Sequence, residues 1–147
     1  MRPVSGENVL LTLLVGGLWA IGYVAVPVIF ASVDDKQLAG QLAGQLFAVG
    51  GGLGLGAGLL LLLLGLLREQ AGALANWSWR GVAVLVLLLA VVQFGLAPAI
   101  AQARDAGLTD GADFQRLHKL ASALYMAASV IGLAIVAFRG HVAKPAV

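Results

Sequence analysis

The stretch LFAVGGGLGLGAGLLLLLLGLL, residues 46–67, decides the fold of this chain. It contains no charged residue. As a helix with a rise of 1.5 Å per residue it would be about 33 Å long, and the hydrocarbon core of a bilayer is about 30 Å thick. The stretch is therefore predicted to be a helix that crosses a membrane.

Three further apolar runs of similar length, residues 9–30, 81–103 and 120–138, occur in the same chain of 147 residues. Hydrophobic residues make up 61% of the chain and charged residues 11%, and the mean hydropathy is +0.97, values typical of a membrane protein. We predict an all-α membrane protein with an antiparallel four-helix transmembrane bundle. The connections are too short for a second folding unit, so residues 1–147 should form one four-span domain.

The segment before the second span has its own pattern. In residues 36–47 the tetrad Gln-Leu-Ala-Gly repeats, which places leucines on one helical stripe and glutamines on another. This pattern predicts an amphipathic interfacial helix that leads into the second span. Asp34 and Asp35 are predicted to cap helix ends, and Thr109 or Asp110 to cap the helix that leads into the fourth span.

Glycines are concentrated in and before the second span. Small residues one turn apart let a neighbouring helix approach closely, and the pairs with this spacing predict helix packing at Gly40, Gly44, Gly50, Gly54 and Gly58. A thin helix wall that admits a flat cofactor, a quinone or a lipid tail is the alternative. A bundle of four helices does not obviously need so many helix faces made of small residues. The surplus therefore predicts other membrane subunits or a homo-oligomer as partners, besides the lipid bilayer itself.

Two prolines interrupt the first and third spans. Pro27 and Pro98 each remove an N–H donor and free a carbonyl four residues earlier, at Tyr23 and Phe94. Both helices are predicted to bend in the half of the membrane opposite the termini. We predict a pocket that opens to this half, with these candidate residues: Tyr23, Pro27, Gln93, Pro98, His118, Ser122 and Tyr125. Simple kinking at the prolines and an interhelical hydrogen bond from Gln93 are the alternatives.

His118 is the most reactive side chain of the candidate pocket, because imidazole titrates near neutral pH and binds metals. It is a weak metal candidate, and a solvated interfacial histidine is the alternative. The only other histidine, His141, lies 23 residues further on, about 35 Å along a helix, which argues against a bis-histidine haem within one chain. Without cysteine there is no thiolate metal site. No cofactor is predicted, and no catalytic motif is found, so an enzyme is not predicted.

Charged and aromatic residues near the span ends bear on orientation. Trp77 and Trp79, followed by Arg80, are predicted to anchor at the headgroup level. Five basic residues fall on the side of the termini and four on the other side, which also holds five aspartates. Both termini are therefore predicted to be cytoplasmic. The net charge of +2 is small and dispersed, which disfavours nucleic acid as a partner.

Two stretches carry a resemblance to a known family. They run from Gly17-Leu18-Trp19 through Pro27 and Phe30 to AGQLAGQLF at residues 39–47, and from Phe114 to His118. Together they resemble the bacterial domain-of-unknown-function 4149 family, which is related to eukaryotic transmembrane protein 205. The resemblance implies a four-helix bundle in a bacterial cytoplasmic membrane and no established reaction. Ser122 fits the serine that follows the family's histidine, whereas Tyr125 stands where the family has asparagine.

The sequence thus leaves two functions open. The first is a non-catalytic accessory subunit or helix-packing partner in a membrane assembly, motivated by the glycines of the second span. The alternative is a small transporter or a cofactor- or metal-handling membrane protein with a pocket near His118. The two differ in whether His118 or the glycine faces carry the function.

Overall fold

The computed structural model describes residues 6–69 and 77–138, with the side chains of Arg68 and Glu69 excepted. These ranges contain four long helices and no strand. The first helix is Gly6–Ser32, the second Lys36–Glu69, the third Trp77–Asp105 and the fourth Ala112–Phe138. Each is long and apolar enough to cross a membrane, which confirms the predicted all-α four-span fold. The predicted orientation relies partly on Arg2, Arg139 and Lys144, which lie outside the described residues.

The first and third helices each contain a π-helical segment just before their proline. In the first helix the segment is Ala20–Ala25, and in the third it is Val91–Leu96. The N–H of Val26 donates to the carbonyl of Ile21, and the N–H of Ala97 to that of Val92, five residues back in both cases. Local π-helical turns re-satisfy backbone groups that a membrane proline leaves unpaired. The two segments are 71 residues apart, and so are Pro27 and Pro98.

The second helix is continuous over 34 residues, about 51 Å, so the predicted amphipathic extension and the second span form one element. Asp35 caps its start as predicted, because its Oδ1 accepts hydrogen bonds from the backbone N–H groups of Gln37 at 2.8 Å and Leu38 at 3.2 Å. Lys36 Nζ donates to the carbonyl of Phe30 at 2.9 Å, at the end of the first helix. A short and well-bonded turn therefore connects these two helices.

The predicted cap of the fourth helix is wrong. The carbonyl of Gly111 accepts the first helical hydrogen bond, from the N–H of Gln115 at 3.1 Å, so Gly111 occupies the N-cap position. Thr109 and Asp110 are instead the two central residues of a turn, which the N–H of Gly111 closes by donating to the carbonyl of Leu108 at 3.2 Å.

A left-handed glycine at the end of the third helix precedes this turn. Gly107 has φ of +71°, and its N–H donates to the carbonyl of Arg104 at 2.9 Å. The N–H of Leu108 donates to the carbonyl of Ala103 at 2.8 Å, which completes a Schellman motif. Glycine adopts this φ without a steric penalty, so the third helix ends sharply before the turn.

Each helix packs against two neighbours. The first helix contacts the second and the fourth, and the third helix contacts the same two. Gly50 and Gly58 of the second helix lie against Ile21 and Leu14 of the first, so residue numbers rise on one helix as they fall on its neighbour. The largest fully buried side chains are in the half of the bundle nearest the termini: Leu14, Leu61, Leu85, Ile135, Val82 and Ser129.

The two neighbouring tryptophans of the third helix have different environments. Trp77 is 38% exposed, in keeping with the predicted headgroup belt, but Trp79 is only 4% exposed and belongs to the core. A Cβ built on Gly65 would lie 2.9 Å from three atoms of the Trp79 ring. Residues two positions apart project about 200° from each other around a helix, so only one of this pair can face the membrane. The predicted anchoring role of Trp79 is therefore wrong.

Candidate binding site at an open seam

The first and fourth helices separate in the half of the bundle that contains the loops. Their backbones come close at residues 6–19 of the first helix, whereas no Cα of residues 20–32 lies within 8 Å of a Cα of the fourth helix. Across this wider part only the Tyr125 ring is seen to reach the first helix, at Gly22 and Tyr23. No residue of 20–32 is buried, and burial in the fourth helix begins only at Ala128. We call the gap between residues 20–32 and residues 112–127 the open seam.

The other three helix pairs remain in contact in this half. Val26–Ser32 packs against the second helix, the second helix packs against Ala97–Asp105, and Ala97–Asp105 packs against the fourth helix. The bundle is thus closed on three sides and open on one.

Two hydrogen bonds join the first and fourth helices at the inner end of the open seam. The Tyr125 hydroxyl donates to the carbonyl of Leu18 at 2.6 Å, and Trp19 Nε1 donates to the carbonyl of Ser129 at 3.4 Å. The Ser129 hydroxyl in turn donates to the carbonyl of Tyr125 at 2.9 Å. These contacts mark where the closed part of the bundle ends.

Aromatic rings from three helices cover the same level. The ring centroid of Tyr125 lies 5.1 Å from that of Phe47, in an edge-on arrangement, and 6.5 Å from that of Tyr23. Tyr23 also packs on Trp19, with centroids 4.6 Å apart. We call these four residues, Trp19, Tyr23, Phe47 and Tyr125, the aromatic floor. Gly22 makes room for it, since a Cβ on Gly22 would overlap the Tyr125 ring.

His118 and Ser122 lie on the fourth helix between the aromatic floor and the loop. His118 precedes Tyr125 by seven residues, which places both on one helical face. Its ring stacks on Phe114, with centroids 5.8 Å apart and planes 6° apart, and the Ser122 hydroxyl donates to the His118 carbonyl at 2.8 Å. His118 and Ser122 also border a shallow depression of about 690 Å³ on the outer face of the fourth helix, which that helix lines alone.

No metal site involves His118 in the part of the chain that the structure describes. There, no three side chains of His, Cys, Asp or Glu come together as a ligand set would require. His141 lies outside the described residues. The metal proposal therefore gains no support from the geometry.

The third helix does not contribute Gln93 and Pro98 to a pocket in the predicted way. Gln93 Nε2 donates to the carbonyl of Ala48 at 3.0 Å, and the Gln93 side chain fills the space beside Gly51. Gln93 thus lies between the second and third helices, and Pro98 is an exposed residue of the third helix. Of the predicted pocket residues, Tyr23 and Tyr125 meet at the aromatic floor. Pro27, His118 and Ser122 are exposed residues of the same two helices, and Gln93 and Pro98 belong to the third helix.

The glycines of the second helix have three kinds of neighbour. Gly50 lies against Ile21 and Gly58 against Val86, while a Cβ on Gly54 would meet Leu14 and Leu89, each at 3.4 Å. Gly40 and Gly44 lie under the side chain of Arg104. Gly52 and Gly56 have no atom within 4 Å of a built Cβ, so they form an open outward face.

Three residues of the site were not predicted: Trp19, Phe47 and Gly22. Trp19 and Phe47 are apolar residues within long apolar runs, and only the packing of the helices shows that their rings meet. Gly22 differs from the other glycines only because it faces Tyr125.

A family profile described as "Domain of unknown function (DUF4149)" matches residues 9–109, about two thirds of the chain. The matched part covers the first helix from Val9 onward, the whole second and third helices and both π-helical segments, and the stretch from Phe114 to His118 lies beyond it. No curated protein and no solved structure matches the chain. The relation to transmembrane protein 205 stays a prediction.

Proposed function

The chain belongs to the DUF4149 family, a domain of unknown function, and on this premise we propose that it binds a hydrophobic small molecule at the open seam without catalysing a reaction. The observation that carries the proposal is the separation of the first and fourth helices above a floor of aromatic rings. This proposal starts from the alternative that the sequence left open, a small transporter or a cofactor- or metal-handling membrane protein with a pocket near His118, and moves its ligand site to the open seam.

The geometry suits an apolar ligand that enters from the bilayer. The open seam begins at the loop end and stops at Tyr125, and rings line its inner end. Ligand sites in membrane bundles form between helices, and aromatic side chains supply contact area with little loss of side-chain entropy. We also propose that the protein lies in a bacterial cytoplasmic membrane with both of its termini in the cytoplasm. The open seam would then face the outer leaflet.

A bulky side chain inside the open seam should abolish binding. Ala121 is half-buried and lies eleven residues, about three turns, before the core residue Gly132, so both share the inner face of the fourth helix. We expect Ala121→Trp to fill the space above the aromatic floor. In native mass spectra of protein extracted gently from its own membrane, any small mass carried by the wild-type chain should be lost.

Ala123→Trp is the matched control. Ala123 is exposed and lines the outward depression of the same helix, so its replacement should leave the added mass in place. Equal ligand retention by the two variants, each eluting at the wild-type volume, would contradict a site at the open seam.

A second candidate function is assembly with other helices, because one glycine face of the second helix meets no neighbour among residues 6–69 and 77–138. Gly52 and Gly56 are one turn apart, and their exposed neighbours Val49 and Leu53 are 65% and 71% exposed. Small residues at this spacing favour close approach of a second helix in a bilayer. Gly54, by contrast, faces Leu14 and Leu89 of its own chain.

We expect Gly52→Leu to reduce any assembly to the 15.0 kDa chain, because a leucine would hold a partner helix away from this face. Mass photometry or native mass spectrometry in mild detergent gives the size. Gly16→Leu, at an equally open glycine of the first helix, is the control. An assembly that keeps its size in Gly52→Leu does not use this face.

A further inference from the structure

The π-helical segment of the first helix leaves one backbone carbonyl without a helical donor. In an α-helix the carbonyl of Gly22 would accept a hydrogen bond from the N–H of Val26, and in a π-helix from that of residue 27. The N–H of Val26 donates to the carbonyl of Ile21 instead, and residue 27 is a proline, which has no N–H. No side chain that the structure describes donates to the Gly22 carbonyl. This carbonyl is therefore a free acceptor.

The Gly22 carbonyl lies in the open seam, beside the aromatic floor. A Cβ built on Gly22 would overlap the Tyr125 ring, so Gly22 faces the fourth helix directly. Helical carbonyls point toward the C-terminal end of their helix, which for the first helix is the loop end, where the open seam begins. The Tyr125 hydroxyl is already used, because it donates to the carbonyl of Leu18 at 2.6 Å. The free acceptor thus points into the open seam.

The surroundings of this carbonyl are apolar and uncharged. Residues 20–32 and 120–127 contain no charged side chain. Gly22 precedes Phe30, the end of the first apolar run, by eight residues, about 12 Å along the helix. An unpaired carbonyl is costly at that depth, because hydrocarbon offers no donor. A ligand that carries a donor should therefore bind there more tightly than one that does not.

The third helix contains the same backbone arrangement. The N–H of Ala97 donates to the carbonyl of Val92, and Pro98 follows, so the carbonyl of Gln93 also lacks a helical donor. The Gln93 side chain packs on the second helix, where its Nε2 donates to the carbonyl of Ala48 at 3.0 Å. Gln93 therefore provides a matched control on a helix that does not border the open seam.

We infer that the ligand of the open seam is a neutral apolar molecule with a hydroxyl group, which donates a hydrogen bond to the Gly22 carbonyl while the apolar body lies on the aromatic floor. This inference rests on the proposed function and names the chemical class of its ligand. The hydroxyl supplies the donor that Pro27 removes from the helix. A charged group is disfavoured, because residues 20–32 and 120–127 offer no opposite charge to offset its burial.

The inference is tested with 1-hexadecanol and its methyl ether, because the ether keeps the apolar body but has no hydroxyl donor. Each compound is titrated into the purified protein in a neutral detergent, and the bound fraction is measured by native mass spectrometry. We expect the wild-type protein to bind the alcohol about fivefold more tightly than the ether, as for one neutral hydrogen bond. Equal affinities would overturn the inference.

Pro27→Ala and Pro98→Ala form a matched pair of variants. Alanine at position 27 restores an N–H, so the Gly22 carbonyl gains a helical donor, from residue 27 if the π-helical segment persists or from Val26 if the helix becomes regular. We expect Pro27→Ala to bind the alcohol and the ether equally, and Pro98→Ala to keep the fivefold preference. A preference that Pro27→Ala keeps, or that both variants lose equally, contradicts donation to Gly22.

An ester in place of the amide between Gly22 and Tyr23 tests the same acceptor with Pro27 unchanged. The α-hydroxy analogue of tyrosine at position 23 makes the Gly22 carbonyl an ester carbonyl, which is a weaker acceptor, and keeps every side chain. The α-hydroxy analogue of phenylalanine at position 94 weakens the Gln93 carbonyl in the same way and is the control. Only the first ester should reduce the preference for the alcohol, and this pair decides the question if Pro27→Ala binds neither compound.

The outcomes separate this inference from the proposed function. If the wild-type protein binds both compounds equally and Ala121→Trp binds neither, the inference fails and the proposed function stands. Binding by Ala121→Trp at wild-type affinity overturns both. A wild-type protein that binds neither compound also overturns the inference, while the native mass spectra of protein extracted from its own membrane still test the proposed function.

Discussion

Gly58→Leu is expected to destabilise the closed half of the bundle by about 3 kcal/mol, at the upper end of the usual cost of overpacking. A Cβ at this position already overlaps the side chain of Val86, and Leu14 lies 3.8 Å away. Leucine adds three more carbon atoms between the first, second and third helices. The free energy of unfolding, measured by far-ultraviolet circular dichroism as sodium dodecyl sulfate is added to mixed micelles, should fall accordingly.

Gly16→Leu makes the same substitution where a Cβ meets nothing within 4 Å, and it should change the unfolding free energy by less than about 0.5 kcal/mol. Both changes also replace glycine by a better helix former, which slightly favours the folded state. Similar stabilities of the two variants would mean that the second helix does not pack on the third through Gly58.

Trp79→Ala is expected to lower the free energy of unfolding by about 3 kcal/mol. The Trp79 ring is 4% exposed and rests against Gly65, so its removal leaves a cavity that glycine cannot fill. Truncation of a buried tryptophan costs about 3–5 kcal/mol in soluble proteins. We expect the lower end here, because lipid replaces water around much of the bundle and the loss is mainly one of packing contacts. The same titration with sodium dodecyl sulfate measures the change in unfolding free energy.

Trp77→Ala provides the comparison within one turn of the same helix. Trp77 is 38% exposed, so its truncation should cost less than about 1 kcal/mol of unfolding free energy. If it costs as much as Trp79→Ala, the assignment of one ring to the core and the other to the surface is wrong.

The fold was predicted mainly from the lengths of the four apolar runs. Four apolar runs without internal charges predict four membrane-spanning helices, and Asp35 before a repeat with helical spacing predicts a cap that the structure confirms. The cap predicted at Thr109 or Asp110 failed because the same residue types also favour turns. Which role they take depends on Gly107, whose left-handed conformation fixes the end of the preceding helix.

The candidate site was harder to predict because it depends on which helix faces which. A glycine looks the same in the sequence whether it faces Val86, as Gly58 does, or open space, as Gly56 does. Trp79 carries the same anchoring signal as Trp77 until Gly65 is known to lie opposite. Pro27 and Pro98 predicted where the first and third helices depart from regular α-helix. They did not predict the kind of departure, because a kink and a π-helical turn have the same sequence signal.

The π-helical segment of the first helix also has a consequence for which helix faces meet. A π-helical turn holds one residue more than an α-helical turn, so it rotates all that follows by about 100° relative to the preceding turns. The face of the first helix that packs on the fourth before Ala20 is therefore turned aside after Ala25. A single inserted codon can produce this change. One additional residue at this level is thus enough to turn a face of the first helix away from the fourth, without any change to the residues of the core.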